Sequence, residues 1–152
     1  MSNVVIRPAE HTDLEQILAM GQAMHKASNF ADMEYSAQQF GEFVVELIAT
    51  PGNEVFVAEV EGELGGMVLV SLFPSFFGPD LMAAEHLLYV RPGARKHGVG
   101  LHLLYAYTDW AERNGAKRIQ AGNSAGMPDE SYVKLLSRVG LHRAGSLMYR
   151  NL

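Results

Sequence analysis

The sequence predicts a mixed α/β fold in a single domain spanning residues 1–152. Three observations predict it. The length of 152 residues suits one domain with a sizeable core. A content of 48% hydrophobic and 19% charged residues, with no low-complexity tract or internal repeat, is that of an ordinary globular chain. Apolar periodicity then gives the order β-α-α-β-β-β-α-β-α-β, which lacks the strict alternation of a doubly wound sheet.

Taken in order, Val4, Val5 and Ile6 read as a first strand. Thr12-Asp13-Leu14-Glu15 has the form of a capping box and predicts a helix over about residues 13–26, with Leu14, Ile17, Leu18 and Met24 inward. Ser36 starts a second helix that ends before Pro51. Residues 27–35 between them have little periodicity and hold Asp32 and Glu34, as a plain connection or as a substrate loop. Valine-rich residues 54–60 and 64–73 form a hairpin about Glu61-Gly62-Glu63. Phe73, Phe76 and Phe77 then interrupt the sheet around Pro74 and Pro79, either lining an apolar pocket or plugging the core. Residues 84–90 are the next strand. A helix from Val99, with Leu103, Ala106, Tyr107 and Trp110 on its core face, closes at Asn114-Gly115. Residues 117–121 form a short strand and 122–128 an irregular loop. Asp129 caps a last helix bearing Tyr132, Leu135, Leu136 and Val139, and residues 147–150 form a final strand.

Composition narrows the function. There is no cysteine, so a disulfide framework, a thiolate zinc site and a cysteine nucleophile are excluded. No apolar stretch follows basic residues at the start, and the longest apolar run, residues 67–77, is broken and too short to span a bilayer. A cytoplasmic protein is expected, with no membrane partner. Residues 1–90 carry a net charge of −11 and residues 91–152 one of +6. That split suits an anionic ligand held by the second half and an amine-bearing partner received by the first, and it argues against nucleic acid.

The anionic ligand has a place in the sequence. The strand ending at Val90 breaks at Pro92-Gly93, turns basic through Arg95, Lys96 and His97, and becomes helical at Val99. The first turn of a helix has N–H groups without internal partners and carries partial positive charge. Glycine at 98 and 100 leaves a phosphate free to approach them. A dinucleotide fingerprint needs glycine at 103, where Leu103 stands, and no P-loop Gly-Lys-Ser/Thr occurs.

What does occur is Arg95-x-x-Gly98-x-Gly100, which matches the (Gln/Arg)-x-x-Gly-x-(Gly/Ala) signature of the GNAT superfamily of acyl-CoA N-acyltransferases. The resemblance covers nearly the whole chain, from Ile6-Arg7-Pro8-Ala9 with Asp13-Leu14 to Arg138-Val139-Gly140-Leu141, which is like the family's Lys/Arg-x-Gly-Phe. It implies a central, mostly antiparallel sheet splayed between the fourth and fifth strands and flanked by about four helices. It also implies acetyl-CoA as cosubstrate, paired along Leu88, Tyr89 and Val90, with its pyrophosphate on Arg95, Lys96, His97, Gly98, Val99, Gly100 and Leu101. The implied activity is N-acetyl transfer to a small-molecule or peptide amine in a ternary complex without metal, and a homodimer stays open. Asp32, Glu34, Phe73 and Phe76 become the candidate acceptor residues.

Such transfer needs a base for the amine and an acid for the departing thiolate, each contributing about 10²–10⁴-fold. By period-2 alternation His86 shares a face with Leu88 and Val90, and Glu85 shares the other with Leu87 and Tyr89. Family bases lie an even number of positions before this strand's valine. That favours His86, whereas a bulge would turn the parity toward Glu85. The family's usual acid tyrosine falls at Leu136, a departure from its pattern. Tyr132, one turn earlier, substitutes for it or is core. Two other readings stand beside the transferase: a non-catalytic acyl-CoA-binding module, and a phosphate-site protein for another nucleotide.

Overall fold

The computed structural model describes residues 3–152; residues 1 and 2 of the expected domain lie outside them. The elements run β1 (Val4–Pro8), α1 (Leu14–Ala27), α2 (Ala37–Ala49), β2 (Asn53–Val60), β3 (Glu63–Pro74), β4 (Leu81–Val90), α3 (Val99–Arg113), β5 (Arg118–Gln120) and α4 (Asp129–Ser137). The strands form one sheet in sequence order, antiparallel throughout except for the parallel pair β4–β5.

The continuous apolar runs at 55–58 and 67–70 are explained by this layering, because β2 and β3 are covered on both faces. One face packs Ile17 and Met20 of α1 and Val44 and Leu47 of α2 onto Val55, Val57, Met67 and Leu69. The other packs Val99, Leu103, Leu104 and Tyr107 of α3 onto Phe56, Ala58, Val68 and Val70. Each such side chain contributes on the order of 1.5–3 kcal/mol on burial, so the central strands are the rigid support for everything at their ends.

Local signals act much as expected, with shifts. Ser36 accepts from Gln39 N at 3.1 Å and caps α2. The capping box lies two residues earlier than Thr12: Asp13 Oδ2 accepts from Glu10 N at 2.8 Å, and a 3-10 turn (His11–Asp13) precedes α1. Asp13 is buried and paired with Arg7, which also reaches Glu59, so β1, β2 and the start of α1 are joined by one guanidinium. Asp129 does not cap α4; the cap position is Pro128, and Asp129 pairs with Arg143 at 3.0 Å.

The expected strand at residues 147–150 does not form. Past Gly140, at φ +88°, the chain carries no regular element. A strand needs an edge to pair with, and β5 offers three residues. Leu147, Met148 and Tyr149 are exposed instead.

Candidate active site

After Val90 the chain leaves the sheet through a 3-10 turn (Pro92–His97) and enters α3 at Val99. Gly98 joins the two at φ +71°, a left-handed conformation that glycine adopts without strain. The first helical bond after it runs from His102 N to Gly98 O, 3.1 Å, so the N–H groups of Val99, Gly100 and Leu101 stand ahead of the ladder. Arg95, Lys96 and His97 occupy the same end, and Arg95 Nε donates to Val90 O at 3.3 Å. Helix dipole, backbone donors and basic side chains make an arrangement able to receive a phosphate. Gly100 also has a packing task. The space its Cβ would need borders Leu135 Cδ2 at 3.3 Å and Val90 Cγ2 at 3.6 Å, so its small size lets α4 close on α3.

The gap beside this turn follows from how little of β5 pairs. Met82, Ala83 and Ala84 face Arg118, Ile119 and Gln120, and beyond Ala84 the β4 ladder continues only with β3. The backbone from Glu85 to Val90, including Leu88, Tyr89 and Val90, has no second strand beside it, and Val90 O is met by Arg95 Nε. An extended, amide-bearing ligand fits such an edge as an added strand does, and it would end at the basic turn.

Where the gap begins, β4 carries an extra residue. Leu69 faces Leu87 and Val70 faces Glu85, leaving His86 as a bulge. The bulge corrects the expected parity. Glu85 now lies on the face of Leu88 and Val90, which pack toward α3, while His86 joins Leu87 on the face of α1 and α2.

His86 lines a cavity of about 730 Å³ between α1, α2 and the residues after β5. Its Nε2 lies 2.6 Å from Ser71 Oγ, and its ring meets the Phe43 ring edge-on at 5.4 Å. Partial burial pushes it below the ordinary value of 6.5. The loop between α1 and α2 roofs the cavity, held by Asn29 N to Ala125 O at 3.0 Å and by His25 Nε2 against Met33 O at 2.7 Å. Glu34 is in the lining, but Asp32 is not; it accepts from Asn151 Nδ2 at 3.1 Å. Phe73 and Phe76 are also outside the lining. Phe73 stays on β3, and Phe76 stacks with Phe77 at the exposed tip of the β3–β4 turn, which Ser75 N closes on Asp80 O at 2.8 Å beyond the end of the sheet.

On the other face Glu85 Oε1 accepts from Gly122 N at 3.1 Å and from Tyr132 OH at 3.0 Å. Tyr132 OH also lies 3.1 Å from Gly122 O, and Tyr107 OH donates to Gln120 O at 2.7 Å. Glu85 Oε2 is closed off from solvent with no hydrogen-bond partner among the described residues. Burial is the main reason that Glu85 titrates above its ordinary 4.5, and burial with the neighbouring Glu85 charge raises both phenols.

This burial has a measurable sign. Because the folded value of Glu85 exceeds the unfolded one, the stability it lends is complete below 4.5 and is lost as pH rises through the folded value. Glu85→Gln keeps an acceptor for Gly122 N and Tyr132 OH and carries no charge. Its Tm should therefore gain on the wild type between about pH 4 and about pH 8, by scanning calorimetry. A Tm difference independent of pH would mean that the carboxyl is solvated.

His25, Tyr35, Phe43 and Ser71 were not legible as site residues. Nothing local in the sequence brings Phe43 and His86 together; that contact requires α2 to pack on the sheet face to which the bulge turns His86. Gly122 had only its place in an irregular loop as a signal.

A mostly antiparallel sheet that parts at one parallel pair, with a basic turn and helix at the end of the gap, defines the acetyltransferase architecture. The sequence pattern of the Acetyltransferase (GNAT) family matches residues 19–137, and the chain belongs to that family of N-acetyltransferases. Among solved structures it resembles a transcriptional regulator from Bacillus halodurans C-125, with a TM-score of 0.80 and 22% identity over 99% of this chain and 100% of that one. It also resembles an aminoglycoside acetyltransferase, meta-AAC0020, from an uncultured soil metagenomic sample (TM-score 0.73, 16% identity, 98% and 96% covered). A third is a ribosomal-protein-alanine N-acetyltransferase from Brucella melitensis biovar Abortus 2308 (TM-score 0.72, 18% identity, 99% of each chain). No match was found among the curated proteins. Among the described residues no helix is long and apolar enough to cross a membrane.

Proposed function

We propose that the chain is a single-domain, cytoplasmic enzyme that transfers the acetyl group of acetyl-CoA directly to an amine in a ternary complex. The observation that carries this reading is the bulge at His86. It presents two adjacent titratable side chains to opposite faces of β4 at the point where the strand parts from β5. One face has the cavity, and the gap leads to the anion-receiving turn.

Acetyl-CoA supplies the acyl group as an activated thioester when bound. The N–H groups of Val99, Gly100 and Leu101 hold its pyrophosphate, with Arg95, Lys96 and His97 adding charge, and the Leu88–Val90 backbone aligns the arm. Although the bulge turns the strand parity toward Glu85, Glu85 is tied to Gly122 and Tyr132 while His86 lines the cavity, so His86 is the group read as removing the proton from the attacking amine. The new C–N bond forms as C–S breaks, and the leaving sulfur needs a proton. Glu85, which lies where the gap begins and which burial shifts above its ordinary 4.5, is the group of this strand read as supplying it. Tyr132 positions that carboxyl through the hydrogen bond from its hydroxyl to Oε1.

A non-catalytic acyl-CoA-binding module is the second reading, favoured by the buried Leu136 where the family's acid tyrosine would stand. Calorimetric titration with CoA, paired with free-thiol release from acetyl-CoA over a panel of primary amines, separates the two. Amine-dependent release supports the enzyme; tight CoA binding with no release from any amine sinks it.

A further inference from the structure

The cavity beside His86 has a lining rich in aromatic rings and poor in charge. Phe30, Tyr35, Phe40 and Phe43 contribute rings to its lining, while Glu34 is the one carboxylate there and no lysine or arginine lines it among the described residues. Tyr35 and Phe40 are held in place. Tyr35 directs its hydroxyl to Leu18 O at 3.0 Å and stacks obliquely between His25 and Phe40, at 5.4 Å and 6.3 Å. The Phe40 ring rests on Gly21, where a Cβ would collide with it.

We infer that the acceptor is a primary amine with a single positive charge, an aromatic or similarly flat apolar body, and no carboxylate. The inference rests on the transferase reading above and names the substrate of the same site. One carboxylate answers one ammonium group. A polycation such as an aminoglycoside would carry further ammonium groups into a space whose lining holds no second carboxylate to pair them, and unpaired charges are costly to desolvate. A free amino acid would bring a carboxylate toward Glu34 with no cation to receive it. Aromatic rings, by contrast, pair with aromatic rings and with the ammonium itself. Two of the structural relatives bear names that point to aminoglycosides and to a ribosomal-protein alanine; the lining favours neither class of acceptor here.

The test uses the full chain with acetyl-CoA and four probes: phenethylamine, n-propylamine, phenylalanine and kanamycin. Thiol release should give phenethylamine a kcat/KM at least about tenfold above each of the others, the scale of one well-placed ring pair or ion pair. Glu34→Gln should raise the KM for both simple amines by about fivefold, the upper range for an exposed pair, with the KM for acetyl-CoA unmoved. Phe30→Ala removes a partly exposed ring at little risk to folding. It should raise the KM for phenethylamine by about tenfold and leave that for n-propylamine nearly unchanged. Better turnover of kanamycin or phenylalanine would overturn the inference and leave the transferase reading standing. CoA binding without thiol release from any probe would overturn both.

Discussion

Gly98→Val should abolish CoA binding measured by calorimetry, while Lys96→Ala should weaken it only about threefold, as expected for a screened, exposed charge. The structure gives the first variant two reasons to fail. Gly98 sits at φ +71°, where a β-branched residue is strained by about 1–3 kcal/mol, so the backbone would turn out of this conformation. That turn aims the N–H groups of Val99, Gly100 and Leu101, and hydrogen bonds to a charged partner contribute on the order of 1.5–3 kcal/mol each. Losing three together exceeds the whole span from micromolar to millimolar affinity, which is about 4 kcal/mol. Gly98→Asn, which tolerates the left-handed region, should retain part of the binding and so separate strain from obstruction. Equal losses in Lys96→Ala and Gly98→Val would move the receptor from the backbone to the side chains.

His86→Ala should lower kcat/KM by about 10²-fold or more with CoA affinity kept. Imidazole acts as a base only when neutral, so activity rises with pH through its titration. Burial places that titration below 6.5, and the acidic limb of the wild-type profile should lie there. The variant should lose the limb along with the rate. If the limb survives in His86→Ala, another group takes the amine proton, and the assignment of the cavity as the acceptor side loses its chemical support.

Much of the architecture was readable because its signals are local. The Ser36 cap, the Glu61-Gly62 turn and the helical stripe from Val99 to Trp110 each declare themselves within a few residues, and the turn at 91–100 combines a proline, glycines and basic residues in one short stretch. The site was less readable because its contacts are not local. Period-2 counting along β4 cannot reveal a surplus residue, since a bulge is a property of the pair and appears only when Leu69 and Val70 are set against Leu87 and Glu85. Asp32 and Glu34 are indistinguishable as neighbours in sequence. The fold separates them, giving Asp32 to Asn151 and Glu34 to the cavity. The tail failed for a third reason: Leu147 to Tyr149 have strand-like composition, but composition does not supply an edge to pair with.

The surplus residue also means that chain length at this point carries information that residue identity does not. Take His86 away and Glu85 and Leu87 become sequence neighbours, already matched to Val70 and Leu69, so the antiparallel ladder reads on without interruption. A chain shorter by that one residue should keep these strand pairings and the Glu85 contacts to Gly122 and Tyr132, yet would lack the base proposed on the α1 and α2 face. If His86 is the base as proposed, a single codon deletion should therefore remove catalysis while giving up only the contacts of His86 to Ser71 and Phe43. A binder could arise from the enzyme in one step, and an alignment gap opposite His86 would be its visible trace.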